Sequence, residues 1–356
     1  MMNDKGILIK NIYYMLTYAY QTLKQSAYED IETEDFENIH DLFAAILAKG
    51  VAIQIKQGLY REYIVLEEDL STLRGKLNMP GTIRNHINQT NKLSCEFDEL
   101  SENNIFNRIL KTAMCILIRQ DTVKSEHKAI LKKNLLFFSG VDLIDVRGID
   151  WSRLRVQRNN QNYRMLMNIC KLLMNGLLMS TEKGNYKLAA FLDEQHMCRL
   201  YEKFILEYFR YHHPEYRANP DQIAWNVDDG VLDFLPIMQT DITLKNGRKT
   251  LIIDAKYYRH TMQSRFDTYS IHSGNLYQIY TYVKNLDKND TGNVAGVLLY
   301  AKTEETIRPD NQYSIGGSRI IVRTLDLGLP FQYIKEQLEE LAAGYFEDLW
   351  DIRKWL

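Results

Sequence analysis

Nothing in this sequence marks a route into or across a membrane. No apolar run reaches the ~18 to 20 residues that a bilayer span requires. The opening stretch, MMNDKGILIKNIYY, lacks an apolar core followed by a small-residue cleavage site, so a cytoplasmic protein is expected. Cysteine is scarce: Cys95, Cys115, Cys170 and Cys198 lie far apart with no CxxC pairing. That speaks against a zinc ribbon or a disulfide frame and for reduced thiols. No G-x-x-x-x-G-K-[S/T] loop is present, so the chain carries no phosphate cradle of the P-loop kind. Positive charge is not in excess either, with 44 Lys and Arg against 46 Asp and Glu, a net charge of −2. Tight stand-alone binding of DNA draws largely on phosphate neutralisation. The balance therefore speaks against such a binder, but not against an enzyme that another protein delivers to DNA.

The composition, 45% hydrophobic and 25% charged, is that of a globular chain, and 356 residues suffice for two domains. Its 23 tyrosines suit stacking and interfaces, although tyrosine also fills half-buried faces. The first ~55 residues read as helical, with Asn11 placed to cap a segment carrying Ile12, Met15, Leu16 and Ala19. The pattern returns over 39–55. From Gly58 the period becomes two, Tyr60, Glu62, Ile64 and Leu66 against Arg61, Tyr63 and Val65, and a turn is expected at Pro80-Gly81. Helices are expected over 101–118 and 125–138. The basic stretch 141–164, with Arg147, Arg153, Arg155, Arg158 and Arg164, reads as a solvated face or connector. A boundary is expected near 185, giving domains 1–185 and 186–356. The second half alternates: helix 194–211, strands 231–245 and 249–258, helix 274–286 and strand 294–301.

The chemistry concentrates in Thr240-Asp241-Ile242-Thr243-Leu244, Lys245-Asn246-Gly247-Arg248 and Thr250-Leu251-Ile252-Ile253-Asp254-Ala255-Lys256. Asn-Gly between two β-prone runs is a strong hairpin signal. With Asn246-Gly247 as the loop, Asp241 falls opposite Ile252 and diagonal to Asp254, ~7–8 Å away at the backbone. Side chains alternate with period two, so Asp241, Asp254 and Lys256 share one face. Two carboxylates offer hard oxygen ligands for Mg²⁺, and a neighbouring ammonium can orient a water or offset charge on a phosphate. A D/E-x-K triplet also occurs at Glu126-His127-Lys128, but in a polar helical stretch that reads as surface. Asp254 instead follows Leu251-Ile252-Ile253, where an unpaired carboxylate costs several kcal/mol. Glu202, on the preceding helix, is a candidate third metal ligand. Gln278 and Tyr282, at i and i+4 on the following helix, are candidate donors to a phosphate or a catalytic carboxylate.

This order, with Gln278-Ile279-Tyr280-Thr281-Tyr282 as a Q-x-x-x-Y motif, resembles the PD-(D/E)xK nuclease superfamily, and more closely McrC, the nuclease subunit of McrBC modification-dependent restriction systems. The resemblance runs through Asn11-Ile12-Tyr13-Tyr14-Met15-Leu16-Thr17-Tyr18-Ala19, Arg74-Gly75-Lys76-Leu77 with Thr82-Ile83-Arg84, Asn107-Arg108-Ile109, Thr240-Asp241-Ile242, Ile253-Asp254-Ala255-Lys256-Tyr257-Tyr258 and Asn275-Leu276-Tyr277-Gln278. Thr240-Asp241 stands where the superfamily name has Pro-Asp.

What the resemblance implies is an α/β chain. An α+β N-terminal domain would dock on a hexameric McrB-like AAA+ GTPase through an extended finger within 60–90 and stimulate its hydrolysis. A C-terminal domain with a mixed sheet flanked by helices would cut double-stranded, methylated DNA with Mg²⁺, the methyl mark being read by the partner. Asp241 and Asp254 would ligate the metal and Lys256 would be the catalytic lysine. Two rivals remain: a stand-alone RecB-like repair nuclease with the same site, and a non-catalytic adaptor of an AAA+ ring.

Overall fold

Period-two and period-3.6 stretches of the sequence become strands and helices in a computed structural model. It describes residues 3–4, 7–20, 31, 34, 36–154, 161–179, 194–230, 233–258, 263–265, 268–302 and 309–349. The expected boundary near 185 and the arginines at 155 and 158 lie outside the described residues. In chain order come β1 (Asn3–Asp4), β2 (Ile7–Leu8), α1 (Ile9–Ala19), α2 (Ile39–Gln57), β3 (Glu62–Leu70), β4 (Lys76–Leu77), α3 (Met79–Ile87), β5 (Leu93–Ser101), α4 (Ile105–Ile118), α5 (Ser125–Leu135) and α6 (Gln161–Met179). There follow α7 (Glu194–His212), β6 (Gln222–Ile223), β7 (Met238–Gln239), β8 (Ile242–Asn246), β9 (Lys249–Lys256), β10 (Gln263–Arg265), β11 (Thr268–Ser270), α8 (Ser273–Leu286), β12 (Val294–Ala301), β13 (Asn311–Ile315), β14 (Ser318–Leu325) and α9 (Phe331–Phe346). The architecture is α/β. Among the described residues no helix is long and apolar enough to cross a membrane.

Two compact units form. One holds residues 1–42, 158–165 and 175–356, the other 43–157 and 166–174. The first helix thus belongs with the C-terminal half, which a single cut at 185 does not provide. Asn11 explains why. It does not cap α1, which starts two residues earlier behind Leu8 without a side-chain cap. Instead its buried amide donates to the carbonyls of Leu327 and Leu329, both at 2.7 Å. Tyr14 stacks on Phe331 at 4.3 Å, and the Tyr18 hydroxyl pairs with His212 Nε2 at 2.8 Å.

In that unit a five-stranded mixed sheet runs in the order β13–β14–β12–β9–β8. Strands β9, β12 and β14 are parallel, and β8 and β13 close the edges antiparallel. The central strand β12 is buried at every position, as a parallel strand covered on both faces must be. Ile252, Leu298 and Tyr300 point to one side, where they pack with Ile279, Tyr282 and Val283 of α8. The helix can approach only because position 296 lacks a side chain. A Cβ on Gly296 would lie 2.6 Å from Ile279 Cγ1 and 2.9 Å from Val283 Cγ2.

The second unit carries a three-stranded antiparallel sheet, β3–β5–β4. Burial along β3 alternates over its first six residues, as its period of two predicts. Pro80 and Gly81 do not make the expected turn but open α3. Asn78 caps that helix by accepting from the Gly81 N–H at 3.1 Å, and Pro80 fills a first-turn position where no N–H is needed. Gly75 joins β4 to its neighbour with φ +70°, and a Cβ there would meet the Glu96 carbonyl at 2.4 Å. Tyr63, Val65, Leu73, Met79, Ile83 and Ile87 are all more than half exposed, so this ribbon presents apolar side chains to solvent. The second acidic-x-Lys triplet sits on α5 with Glu126 exposed, as the sequence suggested.

Overpacking a filled contact costs about 1–3 kcal/mol. Gly296→Ala is therefore expected to lower the urea midpoint with an unchanged slope. An unaltered midpoint would mean that α8 does not rest on β12 as described.

Candidate active site

The site grows from the hairpin β8–β9. Asn246 pairs with Lys249, so the turn is Gly247-Arg248, one residue later than the sequence suggested. Gly247 has φ +60°, whereas Asn246 and Arg248 stay out of the positive region. A glycine alone at the first central position fits a type II′ turn, while Asn-Gly turns need two positive φ values. Carried one step past Ile242–Ile253, this register sets Asp241 opposite Asp254 itself rather than diagonal to it. The shared face survives because every partner moves by two.

Asp241 lies just outside β8, in a break between β7 and β8 where one continuous strand was expected. Thr240 builds the break. Its N–H donates to the Asp221 carbonyl at 2.9 Å, and its hydroxyl accepts from the Asp221 N–H and pairs with the Thr243 hydroxyl, each at 2.9 Å. The Asp241 carboxylate then folds back to accept from the Ala255 N–H at 3.0 Å. Lys256 Nζ donates to Asp254 Oδ1 at 2.9 Å and stands 4.0 Å from Asp241 Oδ2. The three residues do converge. Asp254 is 1% exposed, and its second oxygen, Oδ2, is buried with no donor facing it. The Asp241 and Asp254 carboxyls are close enough to share a proton when one is protonated.

Electrostatics follow from that crowding. Burial pushes Asp254 up to about 7; the Lys256 ammonium opposes this, and Asp241 adds to it. Burial also raises Asp241, against Lys256 and the Ala255 N–H. Burial alone would lower Lys256, but the two carboxylates outweigh it and hold the ammonium above its ordinary range. Glu202, half-buried on α7, is pushed up to about 7 by burial and by the nearby charge of Asp241. One turn earlier, the Cys198 thiol contacts the Tyr257 carbonyl at 3.6 Å and is raised by burial.

Among the described residues no three His, Cys, Asp or Glu side chains gather closely enough to hold an ion by themselves. Glu202 thus stands outside any closed three-carboxylate cage, near enough for the charge of Asp241 to raise its own carboxyl. The pair Asp241–Asp254 remains a suitable donor set for a hard cation that keeps several waters and completes its sphere with phosphate oxygen. The partnerless Asp254 Oδ2 is the atom such an ion would satisfy.

Gln278 and Tyr282 are directed elsewhere. Gln278 Nε2 donates to the Tyr282 hydroxyl at 2.9 Å, which donates to the Gln239 carbonyl at 3.0 Å. They brace the strand that leads into Asp241, and their bonds do not run to the carboxylates. The polar side chains beside Lys256 are instead Tyr258, Asn275 and Tyr300, linked by hydrogen bonds. Their signal was weak: Tyr258 shares the period-two face of Lys256, but Tyr300 joins it only through parallel pairing.

A carboxyl group whose folded pKa is raised stabilises the fold while protonated and loses that contribution as pH rises through the folded value. Asp254→Asn is therefore expected to raise the thermal midpoint of the metal-free protein at pH 8 by at least about 2 °C. The gap to the parent should close toward pH 5. A lower midpoint at pH 8 would contradict the charge crowding described.

Known proteins resemble this chain over most of its length. A family model described as McrBC 5-methylcytosine restriction system component matches residues 3–301. The Escherichia coli (strain K12) protein described as type IV methyl-directed restriction enzyme EcoKMcrBC is 30% identical over 355 residues, 97% of this chain and 100% of that protein. Among solved structures, a refined half-complex from a tetradecameric assembly of Thermococcus gammatolerans McrB AAA+ hexamers with bound McrC shares the fold. Its TM-score is 0.53 at 21% identity, over 94% of this chain and 75% of that one. The chain belongs to the family of McrBC 5-methylcytosine restriction system components.

Proposed function

We propose that this chain is the DNA-cleaving subunit of a McrBC-type restriction system, a cytoplasmic enzyme that hydrolyses phosphodiesters with Mg²⁺ at Asp241, Asp254 and Lys256. The observation that carries the reading is the partnerless oxygen of Asp254, buried beside a second carboxylate and an ammonium. A structural ion pair needs one carboxylate, and buried polar atoms ordinarily find a partner. Asp241 and Asp254 would hold the ion. When bound, Mg²⁺ supplies Lewis acidity toward the phosphate and a lowered pKa for water. Lys256, kept charged by both carboxylates, offsets negative charge on the phosphate and orients the attacking water through its remaining N–H donors. The Ala255 N–H fixes the orientation of the Asp241 carboxylate, and Glu202, raised by burial and by the charge of Asp241, lies on the same side.

Delivery to DNA would come from the partner. The Thermococcus gammatolerans structure is described as McrB AAA+ hexamers with bound McrC, which supports a docking role for this chain. The exposed ribbon β3–β5 with α3 overlaps the finger expected within 60–90, and its solvent-facing Tyr63, Val65, Ile83 and Ile87 are the side chains that would meet a ring. The partner would read the methyl mark and supply the nucleotide-driven motion, with GTP as the expected fuel.

Asp254→Ala and Lys256→Ala are each expected to lower cleavage of methylated DNA by at least about 100-fold, while stimulation of partner GTP hydrolysis persists. Cleavage surviving in either variant would overturn the site. Gly75→Ala, which forces a Cβ into the Glu96 carbonyl, should do the reverse: GTPase stimulation falls while the thermal transition of the C-terminal half is kept. Undiminished stimulation by Gly75→Ala and by a chain cut back within 60–90 would remove the finger from the account. Full DNA cleavage by the isolated chain would favour a stand-alone repair nuclease.

A further inference from the structure

Lys256 ends a strand, and a lysine side chain has four rotatable bonds, so its ammonium keeps one place only if neighbours wall it in. Two tyrosines do so. Tyr258 lies two residues further along the chain, on the side where Lys256 points. Tyr300 stands in register with Lys256 on the neighbouring parallel strand β12, as Leu298 does with Asp254. Tyr300 is fully buried and within electrostatic reach of both Asp254 and Lys256, while Tyr258 acts on Lys256. One residue of α8 joins the phenols. Asn275 Nδ2 donates to the Tyr300 hydroxyl at 3.0 Å, and the Tyr258 hydroxyl donates to Asn275 Oδ1 at 3.2 Å.

We propose that Asn275 is a positioning residue for the Asp254–Lys256 pair, acting through the two phenols it bridges. The inference rests on the nuclease reading of that pair.

Three features carry it. Asn275 is buried in the first turn of α8, yet the helix draws no cap from it. Asparagine is a poor helix former, so a local role in the helix does not account for it. An amide is also the side chain that can accept from one hydroxyl while donating to another, which assigns both protons. Tyr258 commits its proton to Asn275, leaving oxygen lone pairs toward the ammonium side. Tyr300 receives the amide proton and keeps its own O–H to donate. Finally, the bridge spans the ends of two parallel strands, so it holds the relative placement of β9 and β12 at the level of Lys256. The hydrogen bonds of Asn275 run to the two phenols rather than to Asp254 or Lys256.

Residues that orient a site without touching the reacting atoms typically cost 10–100-fold when removed. The test measures steady-state cleavage of 5-methylcytosine-containing plasmid DNA by the chain in complex with its AAA+ partner. Parent, Asn275→Ala, Tyr300→Phe, the double variant and Asp254→Ala are compared. Asn275→Ala should lower kcat about 10–100-fold, with KM for DNA within about twofold and Mg²⁺ affinity by titration calorimetry within about threefold. In the Tyr300→Phe background the same change should cost less than in the parent, because one of the two bonds of Asn275 is already gone and the two losses fall short of multiplying. Tyr258→Phe and Tyr300→Phe delete a single oxygen each, and they carry the prediction if Asn275→Ala fails to fold. Unchanged kcat, a KM-only effect, or losses that multiply would overturn the proposal. If Asp254→Ala still cuts, the nuclease reading itself fails, a result distinct from failure of the bridge.

Discussion

Everything in the C-terminal sheet bends around one costly placement: a carboxylate, Asp254, at the end of an apolar parallel strand, within reach of a second carboxylate. Taking a charge from water into such surroundings is unfavourable by several kcal/mol unless it is paired. Lys256 pairs with one oxygen and leaves the other unsatisfied. Folding stability alone gives no reason to keep this arrangement. The proposed divalent ion between the two carboxylates would give one, since it would satisfy that oxygen and relieve the like-charge repulsion at once. Sites that store unfavourable electrostatics in this way are where function is found.

Several otherwise separate features serve that placement. Thr240 interrupts the strand so that Asp241 can turn back toward Ala255. Tyr282 and Gln278 secure the carbonyl of Gln239, one residue before the break. Gly296 lets α8 lie close to β12, bringing Asn275 to the level of Tyr300. Asn11 ties the first helix to the loop after β14, so the N-terminal residues become part of the unit that carries Asp241, Asp254 and Lys256. The three-stranded ribbon has no part in that placement. Its strand β3 is half-exposed, and Tyr63 and Val65 face solvent.

What the sequence revealed was what short-range periodicity encodes. The carboxylates and the lysine were legible because strand alternation and a hairpin constrain faces even when the turn is misplaced by one residue. Helix α8 and strand β12 were legible from their periods. Asn246-Gly247 misled because Gly247 satisfies a turn that needs only one positive φ. Pro80 misled because proline suits both a turn and the first turn of a helix. Asn11 looked like a cap because the carbonyls it binds lie more than 300 residues away. The Tyr258–Asn275–Tyr300 bridge was hidden for the same reason: it exists only once two parallel strands and the intervening helix are in register. Gln278 and Tyr282 are legible from their motif as donors to a phosphate or a carboxylate, and in the structure their bonds run to each other and to the backbone before Asp241.

The central claim is that Asp241 and Asp254 share a divalent ion. Anomalous diffraction from crystals of the chain soaked in Mn²⁺ tests it most directly. The account predicts a peak about 2.1 Å from an oxygen of each carboxylate, with Asp254 Oδ2 among the ligands. A peak elsewhere, with the Asp254 oxygen still without a partner, would contradict it.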